Sequence, residues 1–475
     1  MDAGDGLVSR AATVLAAGGY SDVAILEGGV EGCRAAGFQL FQGVNVPSKA
    51  FGEFVELACH TPHLPPDELK ARLDRGDDLV VLDSRPFDEY RLMNIPSAIS
   101  CPSQELLYRL RDVVPSPRTT VVVNCAGRTR SIVGAQSLIN AGVPNPVVAL
   151  QDGAMGWQLK GYPLEHKQSR RAPKASPEHR DDALSRADRI AARAGVKIID
   201  WETFRSWRSD STRTLYIFDV RPMEEYLVSH LDGAVPVEGV QLVQKTDNHV
   251  AVWSARIVIT DDNGIRARIT AAWLTQMGFD DVTVLSGSPP EEALASGPYK
   301  PGLLCDPPSS ATISPAELAE ALHGNTVTVI DFSRSLAFKA AHIPGAWFAI
   351  RARLSASLPR IRRKDRIVVS SEDGVLARFA AADVRAHLRR PIEVLDGGNR
   401  AWAAEKLPLE TGLTNMADAP EDAFWRPYEL DKAQESEMEK YLSWEQGLVD
   451  QVNRDGSARF RPLTPDAIWK RDREA

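Results

Sequence analysis

The feature that most constrains this chain is an internal repeat in which strands and helices alternate. Each copy contains an apolar strand that ends in aspartate, and these strands are Leu79–Asp83, Leu215–Asp219 and Val327–Asp331. A second apolar strand follows in each copy, then a short polar loop that ends in arginine, a helix, and a last strand that leads into a glycine turn. This alternation predicts the α/β class, with tandem doubly wound modules that each hold a parallel sheet flanked by helices.

The spacing of the repeat predicts three complete modules. We call them modules A, B and C, at residues 61–167, 198–302 and 303–412. The polar stretch 168–197 is predicted to be a linker and a connecting helix, with the helix over 181–194. Residues 413–475 show no repeat and are predicted to be a C-terminal extension with one helix over 431–452. Its tryptophans are predicted to anchor it by packing, and they are Trp425, Trp444 and Trp469.

Residues 1–60 match only the second half of a module, which is predicted to be inactive. Asp5–Arg10 resembles the loop, Ala11–Gly18 the helix and Asp22–Leu26 the last strand. The strand that should precede the loop is missing, and a strand without parallel neighbours leaves its backbone groups unpaired. We therefore expect either a natural chain that starts earlier or a segment, residues 1–45, that rests on module A.

Composition and charge narrow the possible functions. The net charge of -8 argues against a nucleic-acid partner, because neutralising phosphates requires a basic face. No apolar run approaches the roughly 20 residues that cross a bilayer, and the acidic N-terminus lacks the apolar core of a signal peptide. Five scattered cysteines form neither a disulfide framework nor a metal-ligand cluster. The expectation is a cytoplasmic protein with no membrane partner, no metal and no cofactor.

The polar loops differ at the position where they begin. They have equal length when they are aligned on their closing arginines, which are Arg10, Arg130, Arg268 and Arg378. In that alignment the first loop position is occupied by Asp5, Cys125, Asn263 and Asp373. Only Cys125 is a nucleophile, so module A is predicted to be the active module.

A cysteine between a parallel strand and a helix lies where thiols are activated. Successive loop N–H groups form a nest for an anion, and the start of the helix adds positive potential. Arg128 and Arg130 act in the same direction, so Cys125 is predicted to be a thiolate nucleophile. Arg128 is the better candidate for contact with an anionic donor, because arginines aligned with Arg130 recur where no cysteine exists.

Several motifs together resemble one family. They are Asp-x-Arg-Pro at Asp83–Pro86 and Asp219–Pro222, (His/Asn)-Ile-Pro-(Gly/Ser)-Ala at Asn94–Ala98 and His342–Ala346, and Gly-x-x-x-Trp at Gly153–Trp157 and Gly398–Trp402. With the cysteine loop, they resemble the rhodanese superfamily over residues 1 to about 412. The arrangement is similar to multidomain thiosulfate sulfurtransferases in which one module is active.

The resemblance implies a sulfurtransferase that works in two half-reactions. Cys125 would take the outer sulfur of thiosulfate as a persulfide and pass it to cyanide, to a small thiol or to a protein thiol. The loop that would cradle donor and persulfide consists of Ala126, Gly127, Arg128, Thr129 and Arg130. Another sulfane-sulfur donor, or 3-mercaptopyruvate, stays open as the donor, and a persulfide-carrying delivery or scaffold protein stays open as an alternative to an enzyme.

A phosphatase is disfavoured by the length of the loop. Phosphatases with a related fold place five residues between cysteine and arginine to make room for a tetrahedral group, whereas four residues separate Cys125 from Arg130.

Other polar residues are predicted to serve the fold. Asp83 and Arg85 recur as Asp219 and Arg221 in a module without cysteine, which indicates an ion pair of the fold. His230 and His342 lie in the inactive modules, so neither is expected to be catalytic. The remaining cysteines are expected to be packed, unreactive residues, and they are Cys33, Cys59, Cys101 and Cys305.

Overall fold

The computed structural model describes residues 7–303, 305–432 and 434–464, and these residues form two compact units. One unit contains residues 37–300 and the described part of 431–464, and therefore modules A and B. The other contains residues 7–36 and the described part of 301–430, and therefore module C. Asp5 and Trp469, which the sequence singles out, lie outside the described residues.

The segment before module A is helical. Its helices are α1 (Leu7–Ala17), α2 (Gly29–Ala35) and α3 (Val46–Cys59). The helix predicted over 11–18 is confirmed as α1, but the strand predicted over 22–26 is wrong, because these residues are irregular. A parallel strand needs a neighbour to pair its N–H and C=O groups, and residues 7–60 as described supply none.

Module A is built on one five-stranded parallel sheet. Its strands are β1 (His63–Leu64), β2 (Leu79–Asp83), β3 (Ile99–Ser100), β4 (Thr120–Asn124) and β5 (Val147–Leu150). Its helices are α4 (Pro66–Arg75), α5 (Phe87–Leu92), α6 (Ser103–Val113), α7 (Thr129–Asn140) and α8 (Gly153–Leu159). The strand order is β1-β5-β4-β2-β3, so the valine-rich strand β4 lies at the centre, buried on both faces.

Module B repeats this sheet after the connecting helix α9 (Pro177–Ala194). Its strands are β6 (Lys197–Ile199), β7 (Leu215–Asp219), β8 (His230–Leu231), β9 (Val235–Pro236), β10 (Arg256–Thr260), β11 (Val282–Leu285) and β12 (Leu294–Ala295). Its helices are α10 (Trp201–Ser209), α11 (Met223–Tyr226), α12 (Gly239–Gln244), α13 (Thr246–His249) and α14 (Ile265–Gln276), followed by a 3-10 turn at Glu291–Ala293. The parallel sheet has the order β6-β11-β10-β7-β9, while β8 and β12 form a separate antiparallel pair.

Module C has the same topology in the other unit. Its strands are β13 (Ala311–Ile313), β14 (Val327–Asp331), β15 (Trp347–Phe348), β16 (Arg366–Ser370) and β17 (Glu393–Leu395), in the order β13-β17-β16-β14-β15. Its helices are α15 (Pro315–His323), α16 (Ser335–Ala340), α17 (Leu354–Ser357), α18 (Val375–Leu388) and α19 (Gly398–Ala404), with 3-10 turns at Arg351–Arg353 and Leu358–Arg360. The predicted fold class, tandem doubly wound α/β modules, is confirmed by all three sheets.

Modules A and B share one apolar core. Helix α9 packs against α6 and α14, and Trp273 of α14 donates its indole N–H to Ser137 Oγ at 2.7 Å. Arg266 of module B forms a buried ion pair with Glu105 of module A. The segment predicted as a linker and connecting helix is therefore part of a joint core of the two modules.

The C-terminal segment is divided between the two units. Within the unit of module C, Trp425 donates its indole N–H to Ser335 Oγ at 3.2 Å, and a 3-10 turn follows at Pro427–Glu429. Helix α20 (Gln434–Asp455) packs against α3 in the unit of modules A and B, where Trp444 donates to the Gln42 carbonyl at 2.9 Å. The anchoring role predicted for Trp425 and Trp444 is confirmed. Neither the 22-residue helix α20 nor any other described helix has the length and apolar character of a membrane span.

An aspartate–arginine pair closes the end of β2. Arg85 donates to both carboxylate oxygens of Asp83, at 2.8 and 2.6 Å, and both side chains are fully buried. Arg221 pairs with Asp219 in the same way in module B. The ion pair that the sequence predicts for this motif is confirmed in both modules.

We predict that Asp83→Asn lowers the free energy of unfolding by about 3–5 kcal/mol, because it leaves a buried guanidinium without its charged partner. Urea denaturation followed by tryptophan fluorescence measures this change. Asp77→Asn is the matched control, since Asp77 forms an exposed pair with Arg75 in the same module and should have little effect. Equal effects of the two substitutions would contradict the assignment.

Candidate active site

Cys125 lies at the junction between the central strand β4 and helix α7. It follows Asn124, the last residue of β4, and α7 begins at Thr129. The cysteine is 2% exposed, and its Sγ is 3.1 Å from Ser131 Oγ. The Ser131 hydroxyl also lies 3.0 Å from the Arg128 carbonyl, so it can donate to the carbonyl or turn to donate to a sulfur anion.

Helix α8 holds the cysteine loop by its backbone. The N–H of Ala154 donates to the Cys125 carbonyl at 2.8 Å, and the N–H of Met155 donates to the Ala126 carbonyl at 2.9 Å. Gly153 has a φ of 55°, and a Cβ there would lie 2.5 Å from the Cys125 carbonyl oxygen. The glycine of the Gly-x-x-x-Trp motif is therefore required by this close approach.

The strand register corrects the alignment of the loops. Asn124, Thr260 and Ser370 pair with the aspartates that end β2, β7 and β14, so the next residue in each module occupies the same position. Cys125 therefore corresponds to Asp261 and Ser371, and the prediction of Asn263 and Asp373 at this position is wrong. Alignment on the closing arginines is wrong because these arginines are not equivalent: Arg130 is the second residue of its helix, whereas Arg268 and Arg378 are each the fourth.

The corresponding residues show what this position faces. The Asp261 carboxylate accepts hydrogen bonds from the N–H groups of Gly264, at 2.6 Å, and Ala267, at 3.1 Å. Ser371 Oγ accepts from the Ala377 N–H at 3.2 Å. Burial raises the pKa of Asp261 to about 6, so the carboxylate is mostly ionised at neutral pH. The junction thus holds an anionic side chain against the N–H groups at the start of a helix.

Ser131 is a site residue that the sequence alignment missed. In the corrected register its counterparts are Ala267 and Ala377, so the hydroxyl is present only where the cysteine is present. The signal was in the sequence, but the comparison of the loops ended at Arg130 and left Ser131 out.

Arg130 forms an ion pair that belongs to the fold. Its guanidinium, which is buried, lies 2.8 Å from the carboxylate of Glu89, whose side chain is 11% exposed. The counterpart in module B is Arg266, which pairs with Glu225 at 3.0 Å although no cysteine is present. The structural role considered for Arg130 is supported, with Arg266 and not Arg268 as its true equivalent.

Arg128 does not present a free charge to the loop. Its guanidinium is bound by three carboxylates: Glu53 at 2.8 Å, Asp152 at 2.9 Å and Glu56. The side chain is 8% exposed. The prediction that Arg128 contacts an anionic donor finds no support in this geometry, because its charge is already compensated. Instead, Arg128 ties helix α3 and the β5–α8 turn to the loop.

Two helices from outside module A cover the loop. Gly52 of α3 lies against Thr129, and a Cβ at Gly52 would be 2.7 Å from the Thr129 methyl. A Cβ at Gly127 would be 3.2 Å from Glu445 Oε2 and 3.7 Å from the Tyr441 ring, both on α20. These contacts link residues far apart in the sequence and carry no motif, so no sequence pattern predicts them.

The comparisons with known proteins agree with this architecture. The family described as Rhodanese-like domain matches residues 65–160, 202–291 and 314–405, which together make up more than half of the chain.

The chain belongs to the rhodanese family.

Among solved structures, this rhodanese is similar to the thiosulfate sulfurtransferase from Pseudomonas aeruginosa, with 46% identity and a TM-score of 0.91. The match covers 97% of this chain and 87% of that chain. A rhodanese-like domain from Anabaena matches with 26% identity over 22% of this chain and 79% of that one, at a TM-score of 0.21. Among curated proteins, an HTH-type transcriptional regulator of Mycobacterium tuberculosis is 31% identical over 98 residues, which are 21% of this chain and 42% of the regulator.

The other cysteines of this rhodanese lie outside the loop. Burial raises the pKa of the Cys59 thiol to about 11. Burial, with a smaller contribution from Glu105, raises the pKa of Cys101 well above its usual range. Both thiols are therefore protonated at neutral pH, in agreement with the unreactive role expected for them. The packed position expected for Cys305 is wrong, because this residue is exposed.

We predict that iodoacetamide leaves Cys59 and Cys101 unmodified near neutral pH in the folded protein. A thiol with a pKa near 11 has only about one part in a thousand of the reactive thiolate at pH 8. Because a raised pKa delays ionisation, labelling of Cys59 should increase steeply above about pH 9. Peptide mass spectrometry after timed labelling measures each site, and rapid labelling of either cysteine at pH 7 would refute the assignment.

Proposed function

We propose that this rhodanese is a thiosulfate sulfurtransferase in which Cys125 carries the transferred sulfur. The enzyme class is supported by the 46% identity to the Pseudomonas enzyme over nearly the whole chain. The single observation that supports the residue is the corrected register, in which Cys125 is the nucleophile and its counterparts are Asp261 and Ser371. Modules B and C are accordingly proposed to be inactive.

The proposed reaction has two displacement steps. The Cys125 thiolate attacks the outer sulfur of thiosulfate, a new S–S bond forms, and sulfite leaves with the electron pair of the donor S–S bond. In the second step cyanide or a thiolate attacks the terminal sulfur of the persulfide. The S–S bond at Cys125 breaks, and the cysteine thiolate is regenerated.

Helix α7 and Ser131 are proposed to stabilise both anionic states of Cys125. By comparison with Asp261 in module B, the N–H groups of Arg128 and Ser131 are the counterparts of those that bind the aspartate. The Ser131 hydroxyl, 3.1 Å from Sγ, adds a side-chain donor. These hydrogen-bond donors are proposed to favour the thiolate before the first step and the persulfide anion after it.

The donor and persulfide cradle is proposed to be the backbone of Ala126 to Arg130. Arg128 and Arg130 are positioning residues in this proposal, since their guanidinium groups are held by carboxylates. Thiosulfate or another sulfane-sulfur donor, and a small or protein-bound thiol acceptor, follow from the chemistry of the persulfide. The cytoplasmic location and the absence of a nucleic-acid partner stay predictions.

We predict that Cys125→Ser abolishes transfer of sulfur from thiosulfate to cyanide and the mass gain of one sulfur atom after incubation with thiosulfate. Circular dichroism should be unchanged, because the hydroxyl fits where the thiol lies. Cys59→Ser is the matched control and should retain both activities. A persulfide on any other cysteine of the Cys125→Ser protein would contradict the proposal. Repeated turnover of thiosulfate with cyanide, in the absence of an acceptor thiol, would identify an enzyme rather than a sulfur-delivery protein.

We predict that Ser131→Ala slows alkylation of Cys125 and its persulfide formation about tenfold at pH 7. A hydrogen bond to a charged group contributes roughly 1.5–3 kcal/mol, and about 1.4 kcal/mol corresponds to tenfold. Ser131→Thr, which keeps the hydroxyl, should restore most of the rate. Equal rates in the wild type and in Ser131→Ala would show that the helix N–H groups alone stabilise the thiolate.

A further inference from the structure

A buried cluster of polar side chains lies over the cysteine loop. Lys49 of α3 places its Nζ 2.6 Å from Glu445 Oε1 of α20. Tyr441 donates its hydroxyl to the same oxygen at 3.2 Å, and Thr129 of the loop donates at 3.4 Å. One carboxylate oxygen therefore receives an ammonium, a phenol and an alcohol hydroxyl.

The second oxygen of Glu445 points at the loop. Glu445 is fully buried, and its Oε2 has no hydrogen-bond partner among the residues that the structure describes. A Cβ at Gly127 would lie 3.2 Å from Oε2, so a charged oxygen rests on the residue that follows Ala126 in the cysteine loop. A buried carboxylate oxygen without a donor costs free energy, which a structural ion pair would normally avoid.

We propose that Lys49, Tyr441 and Thr129 form the subsite that receives the anionic oxygens of the sulfur donor, and that Glu445 occupies this subsite when no donor is bound. The inference rests on the proposed function and extends it to the donor. The three groups around Glu445 are hydrogen-bond donors of the kind that bind a charged oxyanion, such as the sulfonate end of thiosulfate. The carboxylate of Glu445 is then an internal substitute for that group.

The charges of the cluster are consistent with an exchange of anions. Burial alone would lower the pKa of Lys49, but Glu445 and, to a smaller extent, Tyr441 more than offset this and raise it. The ammonium remains charged and needs an anion beside it. A donor oxyanion can replace the carboxylate without leaving Lys49 uncompensated.

The exchange also explains how the donor reaches a closed loop. Cys125 is 2% exposed in this structure, and α20 is one of the elements that cover the loop. Glu445 binds α20 to Lys49, so a donor that competes for Lys49 also releases this part of the cover. Neutral sulfur donors cannot compete in this way. The subsite therefore selects anionic sulfane-sulfur donors, thiosulfate and organic thiosulfonates, over neutral ones.

Three variants of the full-length protein test the proposal: Glu445→Gln, Lys49→Met, and the double variant. Glu445→Gln removes the competing charge and should lower the KM for thiosulfate about tenfold. Lys49→Met should raise this KM by about tenfold or more relative to the wild type. The double variant should raise it by a similar factor relative to Glu445→Gln. The double variant carries no unpaired buried charge, so it guards against loss of folding in Lys49→Met.

A second readout does not depend on sulfur transfer. Cys125 is alkylated with iodoacetate, which is anionic, and with the neutral iodoacetamide, and the ratio of the two rates is measured. Glu445→Gln should raise the iodoacetate-to-iodoacetamide ratio about tenfold, and the double variant should return it to the wild-type value or below. Lys440→Met with Glu437→Gln is the matched control, because this pair lies exposed on the same helix. It should change neither KM nor the ratio.

The outcomes separate the subsite from the proposed function. If Glu445 only anchors α20, Glu445→Gln will accelerate both reagents equally, the ratio will stay constant, and the inference is overturned. If Cys125 forms no persulfide in the wild type, the proposed function fails, while the alkylation ratio still reports on an anion subsite. An unchanged thiosulfate KM in both single variants would also overturn the subsite.

Discussion

The structure of the site depends on one tight junction between a central parallel strand and the helix that follows it. In module A the loop between β4 and α7 spans Cys125 to Arg128, and α8 clamps it through two backbone hydrogen bonds. Gly153 makes this approach possible. Because the helix start is fixed directly beyond the strand, any side chain at the first loop position faces N–H groups that lack partners within the helix. This geometry exists before any chemistry is assigned to it.

The three modules satisfy the same junction with different side chains. Asp261 and Ser371 place oxygens against the helix N–H groups, and Cys125 places a sulfur beside the Ser131 hydroxyl of α7. In modules B and C the side chain at this position accepts hydrogen bonds from the helix, and in module A a cysteine, which is a nucleophile, takes its place. This explains how modules B and C keep the sheet and the loop length, and how module B keeps the aspartate–arginine pair, without a cysteine at this position.

The sequence predicted what repeats and missed what does not repeat. The apolar strands and glycine turns of each repeat predict the sheets, because the local pattern of apolar residues determines where strands form. The pairing of Cys125 with Asn263 failed since an arginine two residues further along the helix resembles the true counterpart, and only the strand register distinguishes them. Arg128 was predicted to contact an anionic donor because two of its three carboxylate partners, Glu53 and Glu56, lie on α3, outside the motif. Glu445 is more than three hundred residues from Thr129, and no local pattern reports such a contact.

The charges around the loop indicate where an anionic donor can enter. Arg128 is held by three carboxylates from α3 and the β5–α8 turn, and Arg130 by Glu89, so both belong to the rigid frame of the site. Lys49 is compensated by one carboxylate, which α20 contributes from the far end of the chain. Displacing the one carboxylate beside Lys49 costs less than displacing the three around Arg128. Glu445 also differs from Glu89, the partner of Arg130, because α20 covers the module whereas α5, which carries Glu89, is part of it. The cation able to exchange its partner for a donor is therefore Lys49.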